Sequence, residues 1–140
     1  MSSLHLLDTN MVSYIVKGRS PAARARLLAL EEGEVAAVSA ITEAEIRYGL
    51  ATRPEATALG ALMEGFLASI QVLPWNRDEA HAYGRIRAKL EKEGMSLEGM
   101  DMMIAAHAVA TGAVLVTNDK AFAQVDDLAA TVNWAADLQM

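Results

Sequence analysis

Apolar residues along the chain fall into short unbroken runs separated by longer segments that repeat every three or four positions. The runs "LHLL" (4–7), "EVAAVS" (34–39), "IQVLP" (70–74) and "AVLVT" (113–117) are too short for amphipathic helices and rich in aliphatic side chains. They predict buried strands. "TVNW" (131–134) predicts a last edge strand. Between the strands the pattern predicts helices over 11–17, from Ser20-Pro21 onward, over 41–51, over 55–68 after the break at Arg53-Pro54, and over 77–93 up to Gly94. Pro21 suits the first turn of its helix, where its missing N–H costs nothing. The most apolar stretch, "MDMMIAAHAVATGAVLVTND" (100–119), predicts a buried helix, a break at Gly112 and then the fourth strand.

Strands separated by helical segments imply parallel pairing through crossovers, with helices on both sheet faces. The expected fold is a single α/β domain over 1–140, a three-layer α/β/α sandwich around a mainly parallel sheet. A chain of 140 residues can bury a sufficient core unaided. No repeat, low-complexity segment or linker interrupts it.

Composition removes several classes of function. There is no cysteine, hence neither a disulfide framework nor a thiolate metal site. The start, "MSSLHLLD", lacks a basic leader, so no signal peptide is expected. The apolar part of 100–119 is broken by His107, Thr111 and Gly112 and falls short of the roughly 20 residues of a membrane span. A cytoplasmic protein without membrane association is the expectation. A net charge of −6 argues against tight nonspecific nucleic-acid binding. A nucleic-acid partner would require metal ions, a local basic rim or oligomerisation.

Four acids stand out by position. Asp8 closes the first strand in "HLLDTN", and Asp119 follows the fourth in "VLVTND". Parallel strands share a direction, so both acids lie on the carboxyl rim where open α/β sheets bind ligands. Each could equally be an N-cap or turn residue. Asp101 shares its helical face with Ala105, Ala108 and Gly112, a small-residue stripe suited to close packing on a sheet. Placement in the first turn, favoured by the helix dipole, explains its position along the helix but not its side. In 41–51, Glu43 has Arg47 four residues on, the spacing of a surface ion pair. Glu45 shares a side with Ile41, Tyr48 and Gly49 and is the expected inward acid, with a Thr42-x-x-Glu45 capping box as its competitor.

Crowded carboxylates raise one another's pKa values unless a cation neutralises them. Oxygen-only ligands select hard ions such as Mg²⁺ or Mn²⁺, which serve phosphoryl chemistry by polarising phosphate and activating water. His5, His81 and His107 lack metal-ligand spacing and are expected at the surface or packed inside. No phosphate-cradling glycine loop, nucleophile elbow or cysteine nucleophile competes.

Read together and in order, "LLDTN", "SAITEAEIRYGL", "AYGRIRAKLEKEGMSLEGMDMMIAAHA" and "VLVTNDKAF" resemble a PIN-domain ribonuclease. More narrowly they resemble a VapC-type toxin of a bacterial toxin–antitoxin pair. The likeness runs from Leu6 to about Trp134. It implies that Asp8, Glu45, Asp101 and Asp119 are the catalytic, metal-holding acids. It also implies that Thr9, Asn10, Ser39 and Thr117 are polar residues supporting them. A Mg²⁺- or Mn²⁺-dependent endoribonuclease acting on tRNA or rRNA is implied, commonly a homodimer, inhibited by a cognate VapB antitoxin that enters the site. Gly99-Met100 stands where relatives often carry proline or asparagine, and Leu73-Pro74-Trp75-Asn76 where many have "LPFD". Neither departure touches the acids; what they bring into question is RNA selectivity.

The expected reaction is attack of a metal-activated water on a backbone phosphodiester, the ion being held by Asp8, Asp101 and Asp119, with Glu45 direct or through water. Lys17, Arg19, Arg47, Arg53 and Lys120 are candidate RNA contacts, whereas Arg85, Arg87 and Lys89 read as a solvated helix face. Met100, Met102 and Met103 read as core or dimer-face packing. The rival readings are an inert PIN-like binding module and a receiver- or phosphatase-type protein. A haloacid-dehalogenase-type phosphatase would want Asp-x-Asp where this chain has Asp8-Thr9-Asn10.

Overall fold

In the computed structural model, which describes residues 3–138, five strands form one parallel sheet. The terminal pairs 1–2 and 139–140 of the expected domain lie outside the described residues. The strands are β1 (Ser3–Leu7), β2 (Glu34–Ser39), β3 (Gln71–Leu73), β4 (Val114–Val116) and β5 (Ala130–Val132), in the spatial order β3-β2-β1-β4-β5. The helices are α1 (Thr9–Val16), α2 (Pro21–Leu28), α3 (Ala40–Ala51), α4 (Thr57–Ser69), α5 (Arg77–Lys92) and α6 (Gly99–Thr111), with 3₁₀ turns at Lys120–Gln124 and Ala136–Leu138. The expected three-layer sandwich is the observed one.

Successive strand residues point to opposite faces, and here both faces are covered. Leu6, Ala37 and Leu115 pack under α5 and α6, against Ile86, Leu90, Ile104 and Ala108. Their neighbours Leu7, Val38 and Val116 pack against Val12, Ile15, Met63 and Leu67 on the other side. This two-sided burial explains why the strands read as continuous apolar runs rather than as alternation. Ala105 and Ala108, both fully buried, let α6 lie close on the sheet. Gly112 ends α6 at φ 71°, a left-handed conformation that suits glycine.

Two boundaries differ from expectation for local reasons. The helix expected over 11–17 begins at Thr9, because the Asp8 side chain accepts from Met11 N–H and caps it. The last strand stops at Val132 instead of reaching Trp134. Asn133 Oδ1 accepts from Ala135 N–H at 2.8 Å, turning the chain off the sheet. Trp134 is thereby buried against His5, with ring centroids 5.6 Å apart and the Arg26 guanidinium 5.1 Å from its ring. Among the described residues no helix is long and apolar enough to cross a membrane.

Candidate active site

β1 is central, with β2 and β3 on one side and β4 and β5 on the other. The rim between β1 and β4 is therefore a topological switch point, where adjacent connections diverge and leave a crevice. Asp8 N–H donates to Val116 C=O at 3.0 Å and holds the ends of the two strands together. Only 3 % of Asp8 is exposed. One carboxylate oxygen accepts from Met11 N–H at 2.8 Å, so the residue is both a helix cap and a rim acid.

Asp119 lies on the same rim and caps the first 3₁₀ turn, accepting from Ala121 N–H at 2.9 Å. Thr117, buried on the same rim, accepts from Asp119 N–H at 3.0 Å, and its hydroxyl lies close enough to the Asp8 carboxylate to lower its pKa.

Glu45 accepts from the Thr9 hydroxyl at 2.6 Å. That hydroxyl has a single hydrogen, so its 3.1 Å contact with the Thr42 hydroxyl is one in which Thr42 donates. The capping-box alternative is absent: Ser39 caps α3, accepting from Ile41 N–H at 3.0 Å. Part of the facial argument needs correction, since Tyr48 is 73 % exposed and Thr42 and Ile46 form the buried face. Glu45 sits at the edge of that face. Glu43 pairs with Arg47 at 3.0 Å, as its spacing predicts.

Asp101 is half-buried in the first turn of α6, where its N–H donates to Glu98 at 3.1 Å. Glu98 is a fifth acid at this mouth that the motifs did not single out. Its position three residues before Asp101, the spacing of an N-cap pair, was the available signal. A second unpredicted tie lies beneath the acids. The buried His107 ring, on α6, meets Ser39 Oγ at 2.7 Å, linking the helix that carries Asp101 to the cap of the helix that carries Glu45. Burial lowers the His107 pKa, with Glu79 pulling it partly back, so the ring is a neutral hydrogen-bonding partner. Asn10 is exposed and makes no side-chain hydrogen bond among the described residues, unlike Thr9, Ser39 and Thr117.

Asp8 and Asp101 sense the other rim acids. Burial pushes the Asp8 carboxyl up to about 6, and the charges of Asp119 and Glu45 add to this against the hydrogen bonds from Thr117 and Met11. Asp101 also rises to about 6, first through burial and then through Glu98, Asp8, Glu45 and Asp119. Among the described residues no three such side chains already stand together at metal-binding distance. In kind the donor set fits a hard divalent ion: it is oxygen only and carboxylate, and two of its members, Asp8 and Asp101, are raised in pKa first by burial and then by neighbouring negative charge.

The basic candidates divide. Arg47 is committed to Glu64 at 2.7 Å and to Glu43. Arg85, Arg87 and Lys89 are exposed and paired with Asp127, Glu91 and Asp126, the solvated face expected. Lys17, Arg19, Arg53 and Lys120 are exposed and form no ion pair among the described residues.

Thr9→Val removes the hydrogen bond to Glu45 at nearly constant volume. Were the rim to cleave RNA as the resemblance implies, cleavage should fall about 10- to 100-fold, the usual cost of losing a group that orients a functional side chain. Steady-state cleavage rates beside an unchanged circular dichroism spectrum measure this.

Residues 5–128 match the family model described as PIN domain. The chain is 33% identical over 131 residues to the tRNA(fMet)-specific endonuclease VapC of Shigella flexneri, covering 93% of this chain and 97% of that protein. It is 29% identical to ribonuclease VapC2 of Rickettsia felis, covering 89% and 94%. Among solved structures, VapBC2 from Rickettsia felis, bound to a DNA fragment from its promoter, superposes with a TM-score of 0.87 at 28% identity, covering 94% of this chain and 98% of that one. DNA-bound VapBC from Salmonella typhimurium gives 0.85 at 30% identity, covering 96% and 99%.

Proposed function

The chain belongs to the PIN-domain family, and from that premise we propose that it is a metal-dependent endoribonuclease, the toxin of a VapBC-type pair. The observation that carries the reading is the convergence of Asp8, Glu45, Asp101 and Asp119 on one switch-point rim, two of them with raised pKa values. Relatives named as ribonucleases and as VapBC complexes support the substrate class and the partner class.

Asp8, Asp101 and Asp119 are the residues that would hold Mg²⁺ or Mn²⁺, with Glu45 direct or through water. When bound, the ion supplies charge neutralisation at a phosphodiester oxygen and a more acidic water. The chain's own residues do the positioning. Thr117 fixes the backbone at Asp119, Thr9 aims Glu45, and the Ser39–His107 hydrogen bond holds α3 against α6. Burial of Asp8 excludes water that would otherwise screen the developing charge. The test is RNA cleavage in Mg²⁺ by the purified protein beside Asp8→Asn and Asp101→Asn controls; a folded acid variant that cuts undiminished refutes the reading.

An apolar furrow between α1, α2 and α4 is the surface proposed for the antitoxin. Leu28 and Leu62, at 76 % and 57 % exposed, stand over Ile15, Leu27 and Phe66. Exposed apolar patches of this kind mark protein contacts. Leu28→Asp with Leu62→Asp is expected to weaken co-purification with the small protein encoded next to this gene at least tenfold, cleavage being unchanged. Retained co-purification would move the contact elsewhere. A homodimer is part of the reading, and light scattering of the purified protein tests it.

A further inference from the structure

A second groove, of about 290 Å³, lies between α1, α3 and α4 beside the acids. Its floor is apolar, formed by Ile46, Leu50, Leu59 and Met63, and Lys17 and Arg53 line it as well. Among the described residues no acidic side chain lines it. Thr9 belongs both to this groove and to the acid rim, through its hydrogen bond to Glu45, so the two share a wall. In a chain of net charge −6, two cations without an ion pair among the described residues, on one groove next to the rim, are a local reversal of sign.

We propose that this groove seats one nucleotide of an unpaired RNA segment adjacent to the scissile phosphate, with its base on the apolar floor and its phosphate between Lys17 and Arg53. The inference rests on the proposed ribonuclease activity and narrows its substrate class. A base paired within a duplex faces its partner and cannot lie on this floor, whereas loop nucleotides splay out and can. The two cations would repel a basic peptide and attract a polyanion. A strand that leaves one phosphate at Lys17 and Arg53 can carry a neighbouring phosphate past Thr9 to the acids.

Gly49 offers a way to fill the groove without touching the acids or the cations. It lines the groove within α3, and a Cβ there would meet nothing within 4 Å. A glycine inside a helix costs about 1 kcal/mol relative to alanine, so Gly49→Leu retains the helix while projecting a side chain into the space.

The test is fluorescence anisotropy of a labelled single-stranded RNA of about 12 mixed nucleotides, in EDTA to prevent cleavage, across about 50–200 mM salt. Lys17→Ala with Arg53→Ala should weaken binding at least tenfold and flatten the log Kd against log salt slope by about 1. Gly49→Leu should weaken binding while leaving that slope unchanged. In Mg²⁺ both variants should raise KM for RNA cleavage about tenfold with kcat within about twofold of the parent, since the acids are intact. A duplex of equal length should bind more weakly than the single strand. Unchanged RNA affinity and KM in both variants would overturn the groove while leaving the ribonuclease reading intact. Loss of the neighbouring-gene partner with RNA binding retained would also overturn it, assigning the groove to protein. Equal binding of duplex would overturn the unpaired-strand preference. Failure of the unaltered protein both to bind and to cut RNA would overturn the ribonuclease reading and the groove together.

Discussion

Asp8→Asn should produce a protein that no longer cuts RNA yet is harder to unfold. Cleavage should drop by more than about a hundredfold, because a carboxylate proposed to hold the metal ion is lost. Stability should move the other way. A carboxyl raised from 3.8 to about 6 in the folded chain carries about 3 kcal/mol of ionisation penalty at neutral pH. Asparagine removes the charge and keeps an oxygen to accept from Met11 N–H. Its amide hydrogens need partners in a buried place, so only part of that penalty is recovered. An increase of about 1–3 kcal/mol is expected, seen as a rise of roughly 3–10 °C in Tm at pH 7.5 without metal. Opposite signs for activity and stability are the signature of a functional charge held in an unfavourable place. An acid serving only as a helix cap would not lose activity on conversion to asparagine, which caps equally well. A neutral or destabilising Asp8→Asn in the metal-free protein would mean that the burial penalty is already relieved by another route.

The second large effect joins metal and pH. Both Asp8 and Asp101 have folded pKa values above their ordinary 3.8, so ionisation is disfavoured in the folded chain. Their contribution to stability is full below about pH 3.8 and is lost as pH rises through about 6. The metal-free protein should therefore become more stable as pH is lowered from 7.5 toward 5. Below about pH 4 the effect reverses, because Glu34 and Asp137, whose pKa values are lowered by their hydrogen bonds, begin to lose their partners. On the proposed function a divalent ion would offset the same penalty on buried charge that protons remove. At free Mn²⁺ a hundredfold above Kd the stabilisation should be about 2.7 kcal/mol at pH 7.5. At pH 5 two protons compete, and with both groups near 6 the apparent affinity should fall on the order of a hundredfold. Thermal melts with and without Mn²⁺ at the two pH values measure this. Equal stabilisation at both would show that these carboxylates are not where the ion binds.

Much of the site was legible because it depends on chain order and strand direction. Asp8 and Asp119 each follow an apolar run, and in a parallel sheet all such ends lie on one rim. Asp101 begins a helix whose small-residue stripe had to face the sheet. Glu45 was preferred to Glu43, and the structure ties Glu45 to Thr9 and Glu43 to Arg47, but the preference rested partly on the wrong neighbour. Tyr48 is exposed because the buried side of α3 is set by Thr42 and Ile46 packing across the sheet end, which helical periodicity alone cannot rank. Arg47 looked available until Glu64, seventeen positions on, came into reach from α4. Trp134 looked like a strand residue because its neighbours are β-formers, and the turn at Asn133 removed it.

From residue order alone came the alternation of strands and helices, the parallel sheet and the four acids, since these rest on periodicity, on strand length and on which residue ends each run. The strand order that makes the β1–β4 rim a crevice was decided by tertiary structure. So were the Thr117 and Ser39–His107 ties, the fifth acid at Glu98, and the groove that joins Lys17 to Arg53. Those features depend on distances between segments far apart in the chain, and on burial, which sets the pKa of Asp8 and Asp101. A sequence states that a carboxylate is present; only packing determines how strongly its ionisation is disfavoured.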